Sequence, residues 1–128
     1  MYKNYIMEKI RIAGGFLTLL SVVFGAFCSH LLKKYLDQSA LQSFEVGVRY
    51  MMYHGLALLI ISVLPIEGKK WIFRFLLCGT ILFSFSIFLL SLQTLFKVNL
   101  KWLGPITPIG GAFLIIGWII FIVRAFKS

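Results

Sequence analysis

Four long apolar stretches, parted by short polar and basic ones, organise this chain. An uncharged run begins at Ile12, continues to Ser29 and reaches Leu32 once His30 is admitted. Two others, Phe75 to Phe96 and Trp102 to Val123, each hold 22 residues without a charge. Between them, Met51 to Leu64 supplies only 14, and reaches 21 by starting at Phe44, which places Glu45, Arg49 and His54 inside it. A membrane-crossing helix needs about 20 mainly apolar residues. The pattern therefore predicts four transmembrane helices, at about 10–32, 39–64, 71–96 and 104–126, in one domain covering 1–128. The second reads as one long helix with its first two turns at the interface. Asp37 or Ser39 serves as N-cap, and Pro65 with Gly68 ends it. Strand alternation is absent and the runs are too long for a β-barrel. The fold class is an all-α membrane protein, a four-transmembrane-helix bundle.

Composition removes the soluble alternatives. Of 128 residues 60% are hydrophobic and 13% charged, with a mean hydropathy of +0.95. A small soluble domain buries too little of its chain to hide that surface, and disorder needs the opposite balance. No length remains for a separate catalytic domain. The net charge of +9, from 13 Lys and Arg against 4 Asp and Glu, would suggest nucleic acid in a soluble protein. Here the basic residues flank the apolar runs, where they meet lipid headgroups, and no nucleic-acid partner is inferred. With the N-terminus inside, Lys3, Lys9, Arg11, Lys69, Lys70, Arg74, Arg124 and Lys127 make eight inner cations. The five outer ones are Lys33, Lys34, Arg49, Lys97 and Lys101. That excess places both termini in the cytoplasm. Residues 1–28 have the basic start and apolar run of a signal peptide, but small cleavage-site residues are missing and Phe27 precedes Cys28, so a retained helix is expected.

Four alternating spans bring the end of the first, the start of the second, the end of the third and the start of the fourth to one membrane face. Most unusual residues lie there: His30; Glu45, Arg49, Tyr50, Tyr53 and His54; Ser91 and Gln93; and the segment Gly104–Gly111. The candidate site is this outer-end cluster, with His30, Glu45, Arg49, Tyr53, His54 and Thr107 as its residues. Glu45 and Arg49 stand at i,i+4 in the favourable order and are expected to pair, clamping the start of the helix or binding an anion. His54 lies near the opposite side of that helix and is expected to bond a backbone carbonyl or Thr107. Two histidines on adjacent helices also raise a pair of haem ligands, although their depths differ. Thr107 suits an N-cap with Pro108 in the first turn of the fourth helix. Along the first span Gly14, Thr18, Ser21, Gly25 and Ser29 form a small-residue stripe, and Gly110 and Gly117 mark the fourth. Such residues predict close helix packing inside the chain or between copies. Cys28 and Cys78 sit at different depths and cannot bridge. There is no nucleophile–base set, phosphate loop, paired carboxylate or metal-ligand cluster, so no enzyme activity, metal or cofactor is inferred.

Three segments resemble a known family. Gly25-Ala26-Phe27-Cys28-Ser29-His30-Leu31-Leu32-Lys33 is similar to its GAFGAHxLK signature. Phe44 to His54 follows its FExxVRYQMYH segment, and Leu103 to Gly111 its LGxITPIGG, with Gly117-Trp118 after it. The family is the domain of unknown function 423, related to eukaryotic transmembrane protein 256, and the similarity runs from about Gly14 to Trp118. Cys28 and Ser29 stand in place of Gly-Ala, and Met51 in place of Gln, which removes an amide from the second helix. The resemblance implies a four-span protein of the bacterial inner membrane and carries over no reaction.

Three functions follow from these residues. The first is a small accessory, assembly or lipid-organising bundle whose partners are the bilayer and either a larger membrane complex or further copies of itself. The second is a binding or transport protein with an outer-end pocket for a small anionic or amphipathic ligand, such as a lipid headgroup or quinone. The third is a haem protein using His30 and His54.

Overall fold

A computed structural model describes residues 2–128. Four helices long and apolar enough to cross a membrane follow one another: α1 (Tyr2–His30), α2 (Gln38–Val63), α3 (Lys69–Leu92) and α4 (Ile106–Lys127). Short 3-10 turns, Leu32–Lys34 and Lys101–Leu103, lie in the connections at one end. That end is called the far face. The other, bearing both chain ends and the α2–α3 connection, is the terminal face.

α1 starts at Tyr2 rather than near residue 10. Its buried stripe explains the difference. Ile10, Gly14, Leu17 and Ser21 are buried and Ile6 packs against them, so helical periodicity continues through the charged residues Glu8, Lys9 and Arg11. α2 opens at Asp37, whose carboxylate accepts the Ala40 N–H at 2.7 Å. α3 ends at Leu92, short of residue 96, because Lys97 takes a left-handed conformation with φ 56°. The Val98 N–H then returns to the Gln93 carbonyl at 3.0 Å. α4 is capped by Pro105, not by Thr107, which lies inside the first turn with its hydroxyl turned to α3.

The helices pack as an α1–α2 pair and an α3–α4 pair, joined through α2 and α3. The middle helices have 39% of their most apolar stretch buried, against 22% for α1 and 17% for α4. α1 and α4 therefore flank the assembly. Both pairs close through small residues. A Cβ on Gly55 would lie 2.7 Å from Thr18 Oγ1 and 2.9 Å from Thr18 N, and one on Gly14 would lie 2.8 Å from the Gly55 carbonyl oxygen. Across the other pair, Gly79 abuts Leu114, Gly117 abuts Leu76, and Gly110 is pressed on the backbone of Leu82 and Phe83. With no water to drive helices together in lipid, such backbone approach supplies the attraction.

The α4 backbone meets α3 at a local change of winding. Ile81–Phe85 form a π-helical turn between Lys69–Thr80 and Ser86–Leu92. Before it, Leu76 and Gly79 face α4; beyond it, Phe88 packs with Phe24 and Phe44 of α1 and α2.

Candidate functional site

The most constrained polar group of the interior is His54. It is 5% exposed and stands 16 residues into α2, roughly 24 Å from the far end at 1.5 Å per residue. The Trp118 indole N–H, which can only donate, gives its hydrogen to His54 Nε2 at 3.0 Å. That nitrogen must therefore offer its lone pair, and Nδ1 carries the proton, donated to the Tyr50 carbonyl at 2.8 Å. The imidazole is held neutral, in one tautomer, with both nitrogens used. The Tyr50 ring stacks on it at 22° and also meets Phe83 at 4.7 Å between centroids. Backbones of α2 and α4 do not approach closely, so the His54–Trp118 bond spans the gap between the two helix pairs.

Nearer the far face, hydroxyls make the corresponding ties. Ser84, in the π turn, donates to the Gly47 carbonyl of α2 at 2.8 Å. Ser86 and Thr107 share a hydrogen bond at 2.6 Å that joins α3 to α4. Ser21 and Thr80 instead return their hydroxyls to carbonyls one turn back on their own helices. These groups hold helices together and leave no free nucleophile–base pair among themselves.

Of the six residues expected to cluster, Glu45, Arg49 and Tyr53 follow one another along the exposed face of α2, whereas His30, His54 and Thr107 lie elsewhere. No hydrogen bond or ion pair joins any two of them among the described residues. His54 lies beyond the midpoint of α2, not at its outer end, and its partner across the bundle is Trp118, not Thr107. Glu45 and Arg49 are both exposed and make no ion pair among the described residues; the Glu45 carboxylate accepts the Cys28 thiol at 3.9 Å. Tyr53 is 56% exposed. His30 is exposed at the end of α1, 12 residues beyond Thr18, which packs against Gly55, and so sits roughly 17 Å from His54 along the membrane normal. With both His54 nitrogens occupied, a shared axial pair for haem does not form. Cys28 and Cys78 are free, the first buried and the second exposed. Met51, where the family motif has Gln, is fully buried in the core.

An open cleft of about 340 Å³ does lie at the far face, between the first turns of α2 and the last turns of α3. Asp37, Ser39, Ser43, Ser91, Gln93 and Thr94 give it its polar lining, and none of the six expected residues contributes. Ser91 is 5% exposed, and its hydroxyl has no hydrogen-bond partner among the described residues.

The family model described as "Protein of unknown function (DUF423)" matches residues 24–111, a stretch that contains all three motif segments but stops short of Trp118. The chain is 37% identical to a UPF0382 membrane protein of Staphylococcus haemolyticus, over 94% of this chain and 98% of the relative. It is 34% identical to the UPF0382 membrane protein YwdK of Bacillus subtilis, with the same coverage of 94% and 98%. A UPF0382 membrane protein of Schizosaccharomyces pombe is 40% identical over 78% of this chain and 86% of its own length. No solved structure matches.

Proposed function

The chain belongs to the DUF423 family of membrane proteins, and on that footing we propose that it acts without catalysis, as a small assembly subunit that associates in the membrane through the exposed face of α2. One observation carries the reading. Glu45, Arg49 and Tyr53 follow one another at four-residue spacing, all exposed, and no ion pair neutralises the two charges among the described residues. α2 has 26 residues, roughly 39 Å of helix against a hydrocarbon core of about 30 Å. Arg49 stands 11 residues into it, about 16 Å from the far end and within a few ångströms of mid-helix. A charge at that depth costs at least about 2.5 kcal/mol against lipid unless it is paired or reaches the headgroups. A neighbouring helix that offers an acid to Arg49 and a base to Glu45 removes the cost. A second copy of α2, related by a two-fold axis along the membrane normal, offers both. The saturated buried groups support the same reading, since His54, Ser84, Ser86 and Thr107 serve packing.

Native mass spectrometry of the mildly solubilised protein tests this. A defined homo-oligomer is expected in the parent. Arg49→Glu and Glu45→Arg each dissociate it, and the combined swap restores it. A parent that stays monomeric without bound chains, or a swap that fails to restore association, refutes the self-pairing; a retained chain of different mass makes the partner another protein.

A second reading, a far-face pocket for a small amphipathic molecule, rests on the cleft and the unpartnered Ser91 hydroxyl. A defined small-molecule mass retained in the same spectrum, and lost on filling the cleft with Ser43→Trp, is its signature.

A further inference from the structure

The terminal face holds a larger groove, of about 630 Å³, between the first turns of α1 and the α2–α3 connection. α1 makes it: 29 residues span roughly 44 Å, some 14 Å more than the hydrocarbon core, so its charged start stands at headgroup level as one wall. Lys3, Lys69 and Lys70 line the groove against a single carboxylate, Glu67. Lys69 is committed to structure: its ammonium donates to the Ser62 carbonyl at 3.2 Å, at the end of α2, and touches Met7 Sδ at 3.9 Å. Lys3 and Lys70 have no acceptor among the described residues. Arg11 stands close enough to Lys69 for their charges to repel, and Arg124 packs on Gly68, whose φ is +77°. Beside these cations the lining is apolar, with Ile6 of α1 and Leu64 and Ile66 of the connection.

A concentration of cation at headgroup depth, continuous with an apolar floor, fits a molecule with an anionic head and a hydrocarbon body. We propose that this groove binds the headgroup of an anionic phospholipid, with Lys3 and Lys70 on the phosphate and the acyl region along Ile6, Leu64 and Ile66. A free phosphate satisfies the lysines but leaves the apolar floor wet; a zwitterionic lipid covers the floor but places an ammonium against the lysines. Basic pockets at helix ends recognise acidic lipids by this combination. The inference is independent of association through α2, which lies on a different surface.

The test uses delipidated full-length protein in mild detergent, titrated with phosphatidylglycerol or with phosphatidylcholine of the same chains, bound lipid being read by native mass spectrometry. Phosphatidylglycerol is expected to bind at least about tenfold tighter. Lys3→Gln with Lys70→Gln should lose roughly thirty-fold of that affinity, two surface cations being removed. Arg at both positions should keep it, and Lys33→Gln with Lys34→Gln at the far face should leave it unchanged. A thermal melt of each variant separates lost binding from lost fold, and the single Lys3→Gln variant, which should lose roughly five-fold, carries the test if the pair unfolds. Equal binding of the two lipids, a preference that survives the Gln pair in a folded protein, or an equal loss from the far-face pair overturns the proposal. So does displacement by inorganic phosphate at concentrations comparable to the lipid, which would make the site one for a free anion.

Discussion

Gly55→Ala isolates what holds α1 to α2. The added methyl would stand 2.7 Å from Thr18 Oγ1, 2.9 Å from Thr18 N and 3.0 Å from the Gly14 carbonyl oxygen. The hydroxyl can rotate away, but the other two atoms are backbone of the facing helix. Ordinary contact begins at 3.4 Å, so the helices must part by roughly half an ångström at their closest point. Forced overpacking of this kind costs about 1–3 kcal/mol. The substitution also gains about 1 kcal/mol, because Ala loses less backbone freedom in a helix than Gly. Gly15→Ala shares the gain without the cost, since nothing lies within 4 Å of its position. Reversible unfolding in mixed micelles, followed by circular dichroism as the denaturing detergent fraction rises, should place Gly55→Ala about 1–3 kcal/mol below Gly15→Ala. If the two agree to within about 0.5 kcal/mol, close backbone approach is not what binds α1 to α2.

Trp118→Phe leaves His54 Nε2 without its donor and should destabilise the fold by about 1 kcal/mol, with a coupling energy to His54 of up to about 1.7 kcal/mol in a double-mutant cycle. Nitrogen NMR of the imidazole should report the Nδ1–H tautomer in the parent; an Nε2–H form refutes the assigned bond. Ser84→Ala breaks a bond between α3 and α2 and should cost about 1 kcal/mol, whereas Ser91→Ala removes a buried hydroxyl that has no partner and should be neutral or stabilising. The same unfolding assay checks both, and a loss on Ser91→Ala would mean that its hydroxyl has a partner in the membrane.

The four spans were legible because lipid imposes a length and a polarity that composition cannot disguise. Small residues at Gly14, Gly110 and Gly117 were legible as packing positions for a related reason: without a side chain they can do little else in lipid. The start of α1 was not read, because Glu8, Lys9 and Arg11 end an uncharged run without ending a helix; the stripe of Ile6, Ile10 and Leu17 was the signal. The expected Glu45–Arg49 pair rested on spacing, which permits an ion pair but does not compel it when both side chains are exposed. Residue order alone puts His54 and Thr107 at the same end of the bundle, which favours a bond between them. Counting depth corrects this: a residue 16 positions into α2 is level with one some 12 or more into α4, which is where Trp118 stands. The π turn left no mark that residue pattern alone could reveal, since it arises from the fit of α4 against the backbone of Leu82 and Phe83.

That turn also changes what a length mutation would do. In a π turn one extra residue is wound into the helix, so Ile81–Phe85 act as an insertion already absorbed. Removing one residue there would leave a sound, fully hydrogen-bonded α-helix of nearly the same height. Everything beyond it would keep nearly the same rotation, because the π turn winds its extra residue into an angle that an α-helix covers with one residue fewer. Phe88 would stay against Phe24 and Phe44, and Ser86 beside Thr107, just as Leu76 and Gly79 would keep their places against α4. The change would fall on the turn itself, where Gly110 of α4 is pressed on the backbone of Leu82 and Phe83. An extra residue elsewhere in α3, with no such turn to take it up, would rotate one half of the helix by about 100° against the other and release either α4 before the turn or Phe24 and Phe44 beyond it.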